Sequence, residues 1–190
     1  MMDQIGSPRP ALGIAWQAAD PVVVAARIGT TFQVGMPVER AVIIGGLAIV
    51  VHPSGRQEFD RLVVVNRADL AITSELPGDV ALAWATVDLG RAAGELGEEG
   101  IGTPPYVPQP DVPGLGARAA RGAAGRFGVP VLLLEPMREG RLAATLGRHG
   151  EGPCGLVAWA IEGRPLELAQ GQPTAGPHVL VGGREYHRAR

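Results

Sequence analysis

A chain of 190 residues with 46% hydrophobic content is long enough to bury a core. Its 28 glycines and 17 prolines, set against 4% aromatics, favour short strands and many turns over a helical bundle. A formal charge of -2 with no dense Lys/Arg cluster gives nucleic acid and acidic membranes no support as partners, and the apolar runs fall far short of a membrane span.

The N-terminal MMDQIGSPRP lacks the basic and apolar regions of a signal peptide. The single cysteine, Cys154, can form no internal disulfide, so the expected setting is the reducing cytoplasm.

Taken in chain order, the elements form a repeat. LGIAWQAADPVVVAARIG (Leu12 to Gly29) begins with a β-prone run containing Ala-Trp. Asp20 is placed to cap a helix whose first position, Pro21, needs no amide partner. LAIVVHPSGR (Leu47 to Arg56) then reads as an apolar strand that ends at a polar residue, a proline and a turn. VALAWATVDLGRAAGELG (Val80 to Gly97) restates the first pattern, with Asp88 four residues after Trp84 as Asp20 is after Trp16. GTPPYVPQPDVPGLG (Gly102 to Gly116) has no counterpart in the first half and reads as a solvated loop or strap. VLLLEPMREGR (Val131 to Arg141) restates the second pattern.

Two related units are therefore expected, at 8–76 and 78–165, the second carrying the Pro-rich insertion 102–116. Helices begin at Asp20 and Asp88. CGLVAWAIEGRPLEL, from Cys154, supplies a further strand with a third Ala-Trp. A C-terminal extension, 166–190, adds one strand at His178–Val181 and a basic frayed end.

The repeat resembles the vicinal oxygen chelate superfamily, which includes glyoxalases, methylmalonyl-CoA epimerases, extradiol dioxygenases and bleomycin-resistance proteins. The closest local similarity is LLEPMREGRLAATLGRHGEGPCGLVAWA, beginning at Leu133, with its Leu-Glu-Pro strand end, Gly-Glu-Gly turn and GLVxWA strand. The resemblance implies an α+β fold of duplicated βαβββ modules forming a curved, mostly antiparallel sheet. It also implies a cup that holds a divalent metal on His, Gln or Glu side chains, where the metal acts as a Lewis acid.

Carried over one by one, the ligand positions fall on Gly13, Ala81, Ile49, Leu132 and Gly155, or Cys154 on a one-residue shift. These side chains offer no ligand set, so neither a metal nor another cofactor is expected. Strand parity then lines the cup with Gly13, Ala15, Gln17, Ala81, Ala83, Ala85, Ile49, Val51, Leu132, Leu134, Val157 and Trp159. Gln17, Ala83, Leu132, Leu134 and Trp159 are the expected binding residues. Trp16 and Trp84 fall on the opposite face as core beneath the helices.

His52 and Glu135 occupy matching positions beside their prolines. They read as solvated strand ends, with a metal or acid/base pair as the alternative. His149 is placed to cap a helix ending at Leu146. His178 and His187 lack ligand spacing, and neither a phosphate loop nor a Gly-x-Ser-x-Gly elbow occurs. Glu39, Glu58, Glu75 and Glu162 are eligible as a general base, but nothing singles one out as catalytic.

The expected function is metal-free binding of a small, partly apolar organic molecule. The alternatives are a metal-dependent lyase, isomerase or dioxygenase with non-standard ligands, and a structural or interaction protein. Surplus strand edges point to a homodimer.

Overall fold

The computed structural model describes residues 9–18, 20–22, 24, 40–53, 61–76, 79–112, 116–159, 178–181 and 184–187. The class is α+β. Strands β1 (Leu12–Ala18), β2 (Arg40–Ile44), β3 (Leu47–Pro53), β4 (Arg61–Asn66) and β5 (Ala71–Leu76) form one sheet in the order β4-β1-β3-β2-β5. Strands β6 (Asp79–Ala85), β7 (Gly102–Val112), β8 (Ala117–Ala124), β9 (Val131–Pro136), β10 (Gly152–Trp159), β11 (His178–Val181) and β12 (Arg184–His187) form a second. Its order is β12-β11-β10-β6-β9-β8-β7. The change of sheet falls between Leu76 and Asp79. Helix α1 spans Leu89–Glu98 and α2 spans Arg141–His149.

The pairing pattern recurs in the two sheets. β1 runs parallel to β3 and antiparallel to β4, and β3 runs antiparallel to β2. Likewise β6 is parallel to β9 and antiparallel to β10, and β9 is antiparallel to β8. Most of the remaining pairs are also antiparallel.

The single curved sheet implied by the resemblance is not what these strands build. The two sheets instead stack face to face. Each strand alternates its side chains between faces, and the bulky set of each sheet falls on the side that meets the other. Leu12, Ile14, Trp16, Leu47, Ile49 and Val51 thus share one core with Leu82, Val131, Leu133 and Leu156. Trp16 is fully buried there and Trp84 packs against it, so both tryptophans are core as expected. They lie between the sheets rather than simply beneath helices.

Helix α1 follows from its sequence. The Asp88 side chain accepts from the Arg91 amide at 2.9 Å, the expected N-cap. Leu89, Ala92, Ala93 and Leu96 form the apolar stripe at helical spacing. Gly100, at φ 69°, ends the helix: its amide reaches the Gly97 carbonyl and the Ile101 amide reaches Leu96. This is a Schellman closure, with Leu96 and Ile101 both in the core. After Asp20 the backbone is helical at Pro21, Val22 and Val24. The rest of that expected helix lies outside the described residues.

Three expectations about elements are corrected. The Pro-rich insertion contributes strand β7 rather than a solvated loop. It lies at the sheet edge, where prolines cost no ladder bond on the open side, and its pairing with β8 is irregular. Among its described residues the C-terminal extension holds two strands, β11 and β12, where one was expected. Helix α2 continues to His149, past the expected end at Leu146, and stops at Gly150 with φ 73°.

Candidate functional site

The residues expected to line one cup are divided between two outer faces. Ala83, Leu132 and Leu134 do share a face, since Ala83 pairs with Leu132 and Ala85 with Leu134. Leu142 and Leu146 of α2 cover that face, leaving the three residues 0%, 4% and 0% exposed. They are core and present no surface to a ligand.

Gln17 belongs to the outer face of the other sheet, where Ala15, Val50 and Ala41 cluster with Val63, Val65 and Leu70. Trp159 pairs with Asp79 at the end of β10, and its side chain lies outside the described residues.

The expected parity fails in β3. Val51 pairs with Trp16, so Ile49 and Val51 lie in the core between the sheets. In the second unit Leu133 pairs with Trp84. Val51 stands two residues before its proline and Leu133 three before its own. The prolines used as landmarks are therefore one residue out of step, and one residue reverses a strand's faces.

The correction brings His52 to Gln17. Gln17 pairs with His52 on β3 and with Arg61 on β4, so the three form a row across β4-β1-β3 with neighbouring Cβ atoms about 5 Å apart. Gln17 and His52 are half-buried and Arg61 is exposed. This row is the polar end of a face whose half-buried apolar members are Val63, Val65 and Leu70. It offers an amide, an imidazole and a guanidinium, which are donors and acceptors suited to a polar ligand group.

A second polar grouping surrounds the start of α1. Glu151 accepts from the Val87 amide at 2.7 Å, the Thr86 hydroxyl at 3.0 Å and the Arg91 guanidinium at 2.6 Å. Arg91 also bonds Glu95 at 2.8 Å. The fully buried Thr86 hydroxyl accepts from the Asp88 amide at 3.1 Å. Glu135 accepts from the Leu89 amide at 3.2 Å and pairs with Arg118. Glu135 is thus a helix-end partner rather than a solvated strand end. The Arg91 bond holds the Glu151 carboxyl below its ordinary range. These groups satisfy one another, which makes the cluster a capping network.

Of this network only Asp88 carries a local signature. The sequence reading passed over Glu151, Arg91 and Arg118 because their partners lie far along the chain. Among the described residues, no three His, Cys, Asp or Glu side chains come together so as to hold a metal ion.

The positions the resemblance assigns to metal ligands carry Gly13, Ala81, Ile49, Leu132 and Gly155, which do not fit a metal centre. Cys154 sits where the β10–β6 register shifts, between Pro153 and Gly155. It is buried in the same cluster as Leu134 and Leu142, and burial pushes its thiol up to about 12. A thiol held neutral makes a poor ligand or nucleophile.

No family model, curated protein or solved structure matches the chain. Among the described residues no helix is long and apolar enough to cross a membrane.

Proposed function

We propose that the chain binds a small, partly apolar organic molecule without a standard metal centre, as the resemblance to the bleomycin-resistance branch implies. The observation that carries this reading is the row of Gln17, His52 and Arg61 beside Val63, Val65 and Leu70 on one sheet face. A polar row bordering half-buried apolar side chains supplies orientation at one end and burial at the other. The recurring strand pairing agrees with a two-module origin.

Gln17, not Ala83, Leu132 or Leu134, is the member of the expected set retained in the site. A thermal-shift screen of small aromatic and aliphatic compounds tests the reading. At least one should raise the melting temperature in proportion to concentration, and Gln17→Ala should weaken it roughly tenfold, about the 1.4 kcal/mol of a polar contact. Stoichiometric Ni, Co, Zn, Mn or Fe in the purified protein would refute the metal-free assignment.

The functional unit is proposed to be a homodimer. Strand β5, at the edge of its sheet and exposed from Ala71 to Glu75, is the edge that fits a second copy. Light scattering should give twice the monomer mass of 19.7 kDa at micromolar concentration, and the monomer mass would overturn the proposal.

A further inference from the structure

Strands β11 and β12 pair antiparallel in a register that sets His178 directly opposite His187. The two histidines have no ligand spacing along the chain, and the strand pairing alone makes them neighbours. Residues opposite one another in an antiparallel pair share a face of the sheet, with Cβ atoms about 5 Å apart. Two imidazole nitrogens on one metal, each at about 2.0–2.1 Å, stand roughly 3–4 Å from one another, a span that opposed histidines can close.

Register also fixes the face. His178 pairs with Ala158 on β10, and Ala158 with Val80 on β6, so one row of partners runs Val80, Ala158, His178, His187. Val80 lies in the core between the sheets, as do Leu82 and Leu156 two residues along the same face. Leu180 of β11 continues that apolar line as the register partner of Leu156. A histidine pair at the end of a core-facing row calls for a partner, because polar groups on such a face are costly when unpaired. A cation shared by both rings satisfies one nitrogen of each. Glu185, opposite Leu180, is on the same face, and its negative charge favours a cation over an anion.

We propose that His178 and His187 hold one divalent transition-metal cation between β11 and β12, with water in its remaining positions. Neutral imidazoles select zinc, copper or nickel over magnesium and calcium, which prefer oxygen. The site stands on the second sheet, apart from the Gln17 face of the first, and does not depend on the function proposed there. Two protein ligands, half the number of a closed structural site, give their metal up to a chelator. Metal that survives chelator treatment therefore bears on the Gln17 reading and not on this pair.

Zinc chloride titrated calorimetrically into chelator-treated protein tests the site. One zinc should bind per chain, and His178→Asn or His187→Asn should each weaken it at least roughly tenfold. His149→Asn should leave it unchanged, and magnesium should not compete. In the unsubstituted protein the imidazole NMR signals of His178 and His187 should shift together, while those of His52 and His149, the other two histidines, stay in place. That measurement needs no variant, so it decides the matter even where a substitution disturbs the strand pair.

Absence of zinc binding overturns the site. So does binding that survives both single substitutions, or a shift confined to one of the two imidazoles. Zinc held through His52 overturns it as well, and also refutes the metal-free reading of the Gln17 face.

Discussion

Single residues show how burial decides chemistry here. Cys154 is the chain's one thiol, and 5% exposure together with a thiol raised to about 12 makes it a packing residue. At pH 8 the native protein should react with a thiol-specific disulfide reagent only as fast as it opens. Unfolding in guanidinium should restore full reactivity, and rapid labelling of the native protein would contradict the burial. Tyr106 is the complementary case. Its side chain covers Gly102 and Gly122, where an added Cβ would collide with the hydroxyl at the first and with the ring at the second. Among the described residues its buried hydroxyl has no hydrogen-bond partner, and burial raises its pKa. An unpaired buried hydroxyl carries a desolvation cost with no return, so Tyr106→Phe should hold stability level or raise it by about 1 kcal/mol in urea unfolding. Loss of more than that would show that the hydroxyl has a partner. Tyr106→Ala should cost about 3–5 kcal/mol by emptying the space over both glycines.

Elements built from local rules were legible in the sequence, and those set by distant partners were not. Asp88 announces α1 because an N-cap acts within three residues. The alternation of β1 and β6 announces their faces because strand parity is local. The face of β3 was misjudged because its register is fixed by β1, and the only landmark in sequence, Pro53, is offset from Pro136. That one-residue error kept His52 away from Gln17. Glu151 was missed for the same kind of reason, since nothing near it in sequence points to Arg91. Its effect is testable through pH. Bonding to Arg91 depresses the folded pKa of Glu151 below the ordinary 4.5. The stabilisation is therefore fully present above pH 4.5 and is lost as pH falls through the lower, folded value. Glu151→Gln should lower the midpoint of urea unfolding at pH 7 and flatten its decline below pH 4.5. The effect should be modest, because Arg91 is 41% exposed and solvent screens the pair. An unchanged acid limb would show that Glu151 does not couple to folding.

At the scale of the molecule, one core joins both sheets, and its size decides how the chain unfolds. Trp16, Ile14, Leu47, Ile49 and Val42 of one sheet, with Leu82 and Leu133 of the other, are among the largest fully buried side chains. At roughly 1.5–3 kcal/mol each, burying them is worth on the order of 10–20 kcal/mol before entropy is counted. That matches or exceeds the net stability of about 5–15 kcal/mol typical of a whole domain. Neither sheet can then survive once the other leaves, because parting them returns both apolar faces to water together. The seam is also close-fitted. Gly46, in the turn between β2 and β3, has φ 106° and would bring a Cβ to 2.9 Å from the Gly128 carbonyl of the turn before β9. Unfolding should therefore be a single transition despite the repeat. In a Trp159→Phe background, Trp16→Phe leaves Trp84 to report on the second sheet, and Trp84→Phe leaves Trp16 to report on the first. Each fluorescence curve should superimpose on the far-ultraviolet circular dichroism of the same variant in urea. A fluorescence midpoint displaced from the dichroism midpoint in either variant would show that the sheets unfold as separate units and that the shared core does not bind them.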